Sequence, residues 1–155
     1  MFVATTGVLV SSTQQSEAAD RGRALDSELV QIAIKLYDLE MQVPTLYMKA
    51  NIAEGGEGLF ARLFNDPIAV LELALSRNDK NVVARFYLAK AYFAKSDHGE
   101  GRWSRLLLDK AEDQFGRVIS ATATTKVVQR QMLVDARQAI DDIKKIRAGH
   151  GDLID

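Results

Sequence analysis

The sequence predicts an all-α protein built from antiparallel helical hairpins, with a compact helical bundle as the alternative packing. Three observations predict it. Only two prolines occur in 155 residues, and Ala, Leu, Lys, Glu and Arg are plentiful, the residues that lose least on entering a helix. Apolar residues recur at helical spacing along most of the chain. Polar or glycine-containing stretches at 55–58, 78–81, 96–101 and 121–125 punctuate those runs.

The first element is the clearest. Leu25, Leu29, Ile32, Leu36, Leu39 and Val43 step by four and three residues, which places all six on one helical face. Val30, Ala33, Ile34 and Tyr37 widen that face, as in a helix packed on two sides. Asp20 or Ser16 is the expected N-cap, and Pro44 is expected to end or sharply kink the helix. A short helix from Thr45 to about Glu54 would then stop at Gly55-Gly56, with residues 57–64 forming an apolar extra turn.

Asn65-Asp66-Pro67 reads as a restart, with Asn65 or Asp66 as cap and Pro67 in the first turn, where its missing N–H costs nothing. That helix should run to about Arg77, and the next from about Asn81 to Lys95. A loop holding Gly99, Gly101 and Trp103 leads to a helix from about Ser104 to Ser120. The last helix, capped by Thr124 or Thr125, should reach about Arg147.

In the stretch 74–97 the small Ala89 lets a neighbouring helix approach, while Leu88 and Tyr92 fill the space beside it. Ala111, Phe115 and Val118 continue the pattern on the following helix. This segment resembles the junction between tetratricopeptide (TPR) repeats, helical hairpins that stack and bind proteins in a groove. The first hairpin is the weaker match, with Tyr47, Met48 and Asn51 on its first helix and Pro67, Leu71 and Ala74 on its second. Met132, Leu133 and Ala136 supply a third first helix, or a terminal cap.

Repeats would begin at Met41, Val82 and Lys126, 41 and 44 residues apart. A standard repeat has about 34 residues, so each of the first two carries an insertion between its helices. The organisation expected is a flexible N-terminus over 1–15 and one TPR-like domain over 16–148. That domain comprises repeats at about 41–81 and 82–125 and a capping helix at 126–147, followed by a flexible tail over 149–155.

The resemblance implies a short superhelix whose first helices line a concave face. By register that face takes Lys49 from the first hairpin, Phe86, Lys90 and Phe93 from the central one, and Arg130 and Arg137 from the last. Cations interleaved with aromatics suit an acidic peptide segment or a free C-terminal carboxylate. Trp103, the only tryptophan, sits in the second insertion beside Arg102 and Arg105. It either anchors a partner or pins the loop to the helices, and Phe60 and Phe64 pose the same choice in the first insertion.

The function expected is a non-catalytic adaptor or scaffold that binds a protein or peptide. The alternatives are an accessory subunit or chaperone of a bacterial transport or secretion system, and a self-assembly module in which the 20–43 or 126–147 helix packs on its own copy as a homodimer. Several other classes are disfavoured. A formal net charge of −1 gives no field for nucleic acid. The absence of cysteine removes disulfides, thiolate metal sites and a Cys nucleophile. His98 and His150 share no metal-ligand spacing, and His98 reads as a turn residue. Gly55-Gly56-Glu57-Gly58 lacks the Lys-Ser/Thr of a phosphate loop. No cofactor is implied.

No apolar run approaches the roughly 20 residues that span a bilayer. Residues 2–10 are uncharged and mildly apolar without a preceding Lys or Arg. They read as a frayed terminus or small packing strand, in a cytoplasmic protein, or as the remnant of an export signal in a periplasmic one.

Overall fold

The computed structural model describes residues 12–49, 63–121 and 127–155, and the side chains of 16–43, 63–121, 130–149 and 151–155. The elements in order are α1 (Ser12–Lys49), α2 (Asn65–Arg77), α3 (Val82–Ser96), β1 (Arg102–Ser104), α4 (Arg105–Ala121), α5 (Val127–Lys145), a π-helical turn (Ile146–His150) and β2 (Asp152–Ile154). The fold is all-α, with consecutive helices packed on one another and α1 also reaching α3. That order of packing suits a hairpin stack or a bundle.

The core is the line where these helices meet. Val30 and Ala33 of α1, Leu71 and Ala74 of α2, Ala84, Leu88, Ala89 and Tyr92 of α3, and Leu108, Ala111, Phe115 and Val118 of α4 form one buried cluster. Met132, Ala136 and Ile143 extend it onto α5. Ala89 is wholly buried, as expected of a small residue at a close helix crossing. Asn81 caps α3 with its side chain, accepting from the Ala84 amide at 3.0 Å. Between helices, the Arg77 guanidinium meets the Asp26 carboxylate at 2.9 Å, Arg85 donates to Gln114 at 2.8 Å, and the Tyr92 hydroxyl donates to Glu72.

Four expectations need correction. α1 begins at Ser12 and runs through Pro44 without ending. Proline cannot donate to the carbonyl of Glu40 four residues back, but its fixed φ near −65° is helical, so one bond is lost rather than the helix. The residues after Pro44 therefore prolong α1 and do not start a new helix. The cap of α2 is Phe64, in a left-handed conformation (φ 67°) with no side-chain cap bond, in place of Asn65 or Asp66. Phe64 is fully buried, its ring 5.4 Å from that of Tyr37, and its amide donates to the Glu40 carboxylate. Burial of that ring holds the unusual backbone in place.

The fourth correction concerns the chain's end, expected to be loose. Asp152–Ile154 pair in parallel with Arg102–Ser104, with Trp103 opposite Leu153. Residues 99–101 all have positive φ (80°, 53° and 77°), a tight reversal that two of its three residues accept because they are glycine. Residues 50–62, with Asn51 and Phe60, the breaker 122–126 with Thr124 and Thr125, and residues 1–11 lie outside the described residues, as do the side chains of Tyr47 and Met48.

Candidate functional site

A cavity of about 440 Å³ opens among α1, α3, the α3–α4 loop, α4 and α5. Its position follows from the way α3 is built. Phe86, Lys90, Phe93 and, just past the helix end, Asp97 are four, three and four residues apart, which sets them with Ala94 toward one side of that helix. Tyr37 and Met41 of α1 close one flank, Asp135 and Ala139 of α5 the other, and Phe115 of α4 forms part of the floor. Trp103 stands at the edge, held by β1 and stacked on Phe93 at 5.8 Å between centroids and 18° between planes. A side chain at Gly151 would approach within 2.6 Å of the Trp103 ring, so the glycine makes room for that indole. Trp103 thus pins the loop and lines the cavity at once.

Five aromatic rings line the walls. Phe86 meets Phe115 edge-on at 6.1 Å, and Tyr37 meets Tyr87 edge-on at 5.8 Å. The Lys90 ammonium lies 5.0, 5.6 and 5.3 Å from the ring centroids of Tyr37, Phe86 and Tyr87, within cation–π range of all three. Burial, with smaller contributions from Asp38 and Tyr87, pushes the Tyr37 hydroxyl up to about 12, so it stays protonated and presents a neutral donor.

Two carboxylates share the lining with that one ammonium. Asp97 accepts from the Gly99 amide at 2.8 Å, and Asp135 accepts from the Gln131 side chain at 2.7 Å. Among the described residues neither has a cation within ion-pairing distance. The lining therefore carries an excess of negative charge.

Of the residues read from sequence as partner-binding, Phe86, Lys90, Phe93 and Trp103 come together here. Arg130 and Arg137 do not join them: both are exposed. At about 100° per residue they fall on the side of α5 opposite the buried line Met132, Ala136 and Ile143. α5 instead turns Asp135 and Ala139 toward the cavity. Lys49 is in the last turn of α1 and its side chain lies outside the described residues. The residues missed were Tyr37, Met41, Asp97, Phe115, Asp135 and Ala139. The signal that could have found the α5 pair is the register of Met132 and Ala136, which sets the helix face that turns inward.

Among the described residues no group of three or more His, Cys, Asp or Glu is disposed to hold a metal ion, and no helix is long and apolar enough to cross a membrane. Comparison of the chain with protein-family models, with curated proteins and with solved structures returns no match.

Proposed function

We propose that the protein is a non-catalytic binding module that takes an apolar or aromatic side chain of a protein or peptide segment into the cavity between α1, α3 and α5. The reading rests on one observation: about 440 Å³ of space walled by Tyr37, Phe86, Phe93, Trp103 and Phe115. Space of that size with aromatic walls and few polar groups is the common form of a binding pocket, whose usual range is about 300–1,000 Å³. Three of the four helices that line it, α1, α3 and α5, are also those that a TPR-like stack would place on its concave side, which suits a hairpin array.

The charge of the lining revises the partner expected from sequence. Lys90 is occupied by three rings, whereas Asp97 and Asp135 lack cationic partners among the described residues. A segment with Lys or Arg beside its apolar anchor complements that surface better than one with Asp, Glu or a free carboxylate.

The experiment is peptide display on the full-length protein, followed by titration of the enriched peptides against wild type and Ala139→Phe, which fills the cavity. The expected sequences join an aromatic or large aliphatic residue to a basic one. They should shift Trp103 emission on binding and lose at least about tenfold in affinity for the filled variant, roughly 1.4 kcal/mol, while its thermal melt stays near wild type. Peptides that bind both proteins equally, or an enrichment of acidic sequences, would overturn this reading.

A further inference from the structure

α1 carries two apolar stripes, and the domain buries one of them and only half covers the other. Val30, Ala33 and Tyr37 face inward and are buried. The other stripe is Leu25, Leu29, Ile32, Leu36, Leu39 and Val43. Leu29, Leu36 and Val43 are half-buried, while Leu25, Ile32 and Leu39, seven residues apart, are 48%, 50% and 60% exposed. The alternation of four and three has a period of 3.5 residues, the repeat that keeps an apolar seam facing a second helix in a coiled coil. It is held for 19 residues, about 28 Å of helix at about 1.5 Å per residue, and among the described residues no helix covers its exposed positions.

We propose that this seam pairs with the same seam of a second copy, parallel and in register. With Leu29 and Leu36 at heptad position a and Leu25, Ile32 and Leu39 at d, one flank of the seam bears Arg21, Glu28 and Lys35 and the other Asp26, Ala33 and Glu40. In a parallel pair each flank meets the opposite flank of the other helix, five residues further on. Arg21 then faces Asp26 of the partner subunit and Lys35 faces Glu40 of the partner subunit, while Glu28 meets no charge of either sign.

An antiparallel pair sets like flanks together, so the acidic Asp26–Glu40 edges confront each other. That edge is also where the body of each protomer sits. Ala33 is fully buried, Asp26 is tied to Arg77 of α2 and Glu40 to the Phe64 amide. Two such edges would drive the domains into one another, whereas the parallel arrangement sets one body on each side. This inference is independent of the cavity, because none of the stripe residues lines it.

The test uses sedimentation of the full chain from about 1 to about 300 μM, together with oxidation of single-cysteine variants, for which the cysteine-free sequence is well suited. Wild type should pass from monomer to dimer as concentration rises. Ile32→Lys should weaken association at least about tenfold while leaving the circular dichroism of the dilute protein unchanged. Ile32→Cys should form a disulfide with itself, since identical positions face each other across a parallel seam at bridging distance. Val134→Cys, exposed on α5, should cross-link far more slowly. A chain monomeric throughout, or equal cross-linking of the two variants, overturns the dimer. A dimer in which Ile32→Cys alone fails to link but Ile32→Cys with Leu36→Cys succeeds overturns the parallel orientation.

Discussion

α1 and α3 treat their apolar residues in opposite ways. α3, with 15 residues, buries Ala84, Phe86, Leu88, Ala89, Ala91, Tyr92 and Ser96, positions that spread over more than half of the helix's circumference, and none of its residues is exposed. α1, with 38 residues, buries Val30, Ala33 and Tyr37 among its described side chains and leaves Leu25, Ile32 and Leu39 in solvent. The more regular apolar stripe belongs to the helix that buries less. Burial here follows the neighbours among the described residues: α3 packs on α1, α2 and α4, whereas α1 packs chiefly on α2. Regular periodicity reports a one-sided or two-helix contact, and its loss in α3 reports a helix packed on more than one side.

The sharpest way to break this comparison is to enlarge the enclosed helix. Ala89→Leu adds volume at a fully buried position and should cost about 1–3 kcal/mol in chemical denaturation. A parent-like midpoint would mean that α3 has free space at its tightest crossing.

A second probe acts where the two helices touch. The folded state holds the Tyr37 hydroxyl proton to about pH 12, chiefly through burial, while an unfolded tyrosine releases it near pH 10. The folded protein therefore binds more protons in that window. Stability should be unaffected below about pH 10 and fall toward pH 12, by up to roughly 1.4 kcal/mol per pH unit from this group. Tyr92, raised by burial and by its bond to Glu72, adds to the same fall. Tyr37→Phe should flatten the slope in part, and an unchanged slope would place Tyr37 outside the α1–α3 contact.

The smallest effect belongs to the open stripe. Leu39→Gln, at a position 60% exposed, should change the stability of the dilute monomer by about 0.5 kcal/mol or less. A loss comparable to that of Ala89→Leu would show that the stripe is part of the core.

Much of the helix layout was legible because caps and breakers are local. Asn81, the turn after Arg77 and the restart before Arg105 act through neighbours in sequence, and the boundaries of α2, α3 and α4 fall within about one residue of those expected. The buried set Leu88, Ala89, Tyr92, Ala111, Phe115 and Val118 was legible as well, since small–large alternation survives in any close helix packing. Pro44 misled because its effect depends on whether one unpaired carbonyl can be tolerated, and that is decided outside the local sequence. Phe64 was hidden for the reverse reason: tertiary burial of its ring sets a backbone angle that the sequence disfavours.

The site divides in the same way. Phe86, Lys90 and Phe93 lie on one helix, so their shared side is a matter of spacing. Arg130 and Arg137 depended on how α5 is rotated against its neighbours, which the inward Met132 and Ala136 set. Asp135 and Ala139 follow only once Met132 and Ala136 are known to point inward.

The pairing of Arg102–Ser104 with Asp152–Ile154 has a consequence for the order of folding. The helical contacts join segments that follow one another along the chain, and such contacts form early because little chain entropy is spent closing them. The two strands are 50 residues apart in register, and each supplies only three residues. That junction should close last, once α4 and α5 have already brought its halves within reach, and it should open first. In hydrogen exchange its amides should report a free energy of opening well below that of α3 and α4, which makes the C-terminal strand a local latch on the loop that holds Trp103.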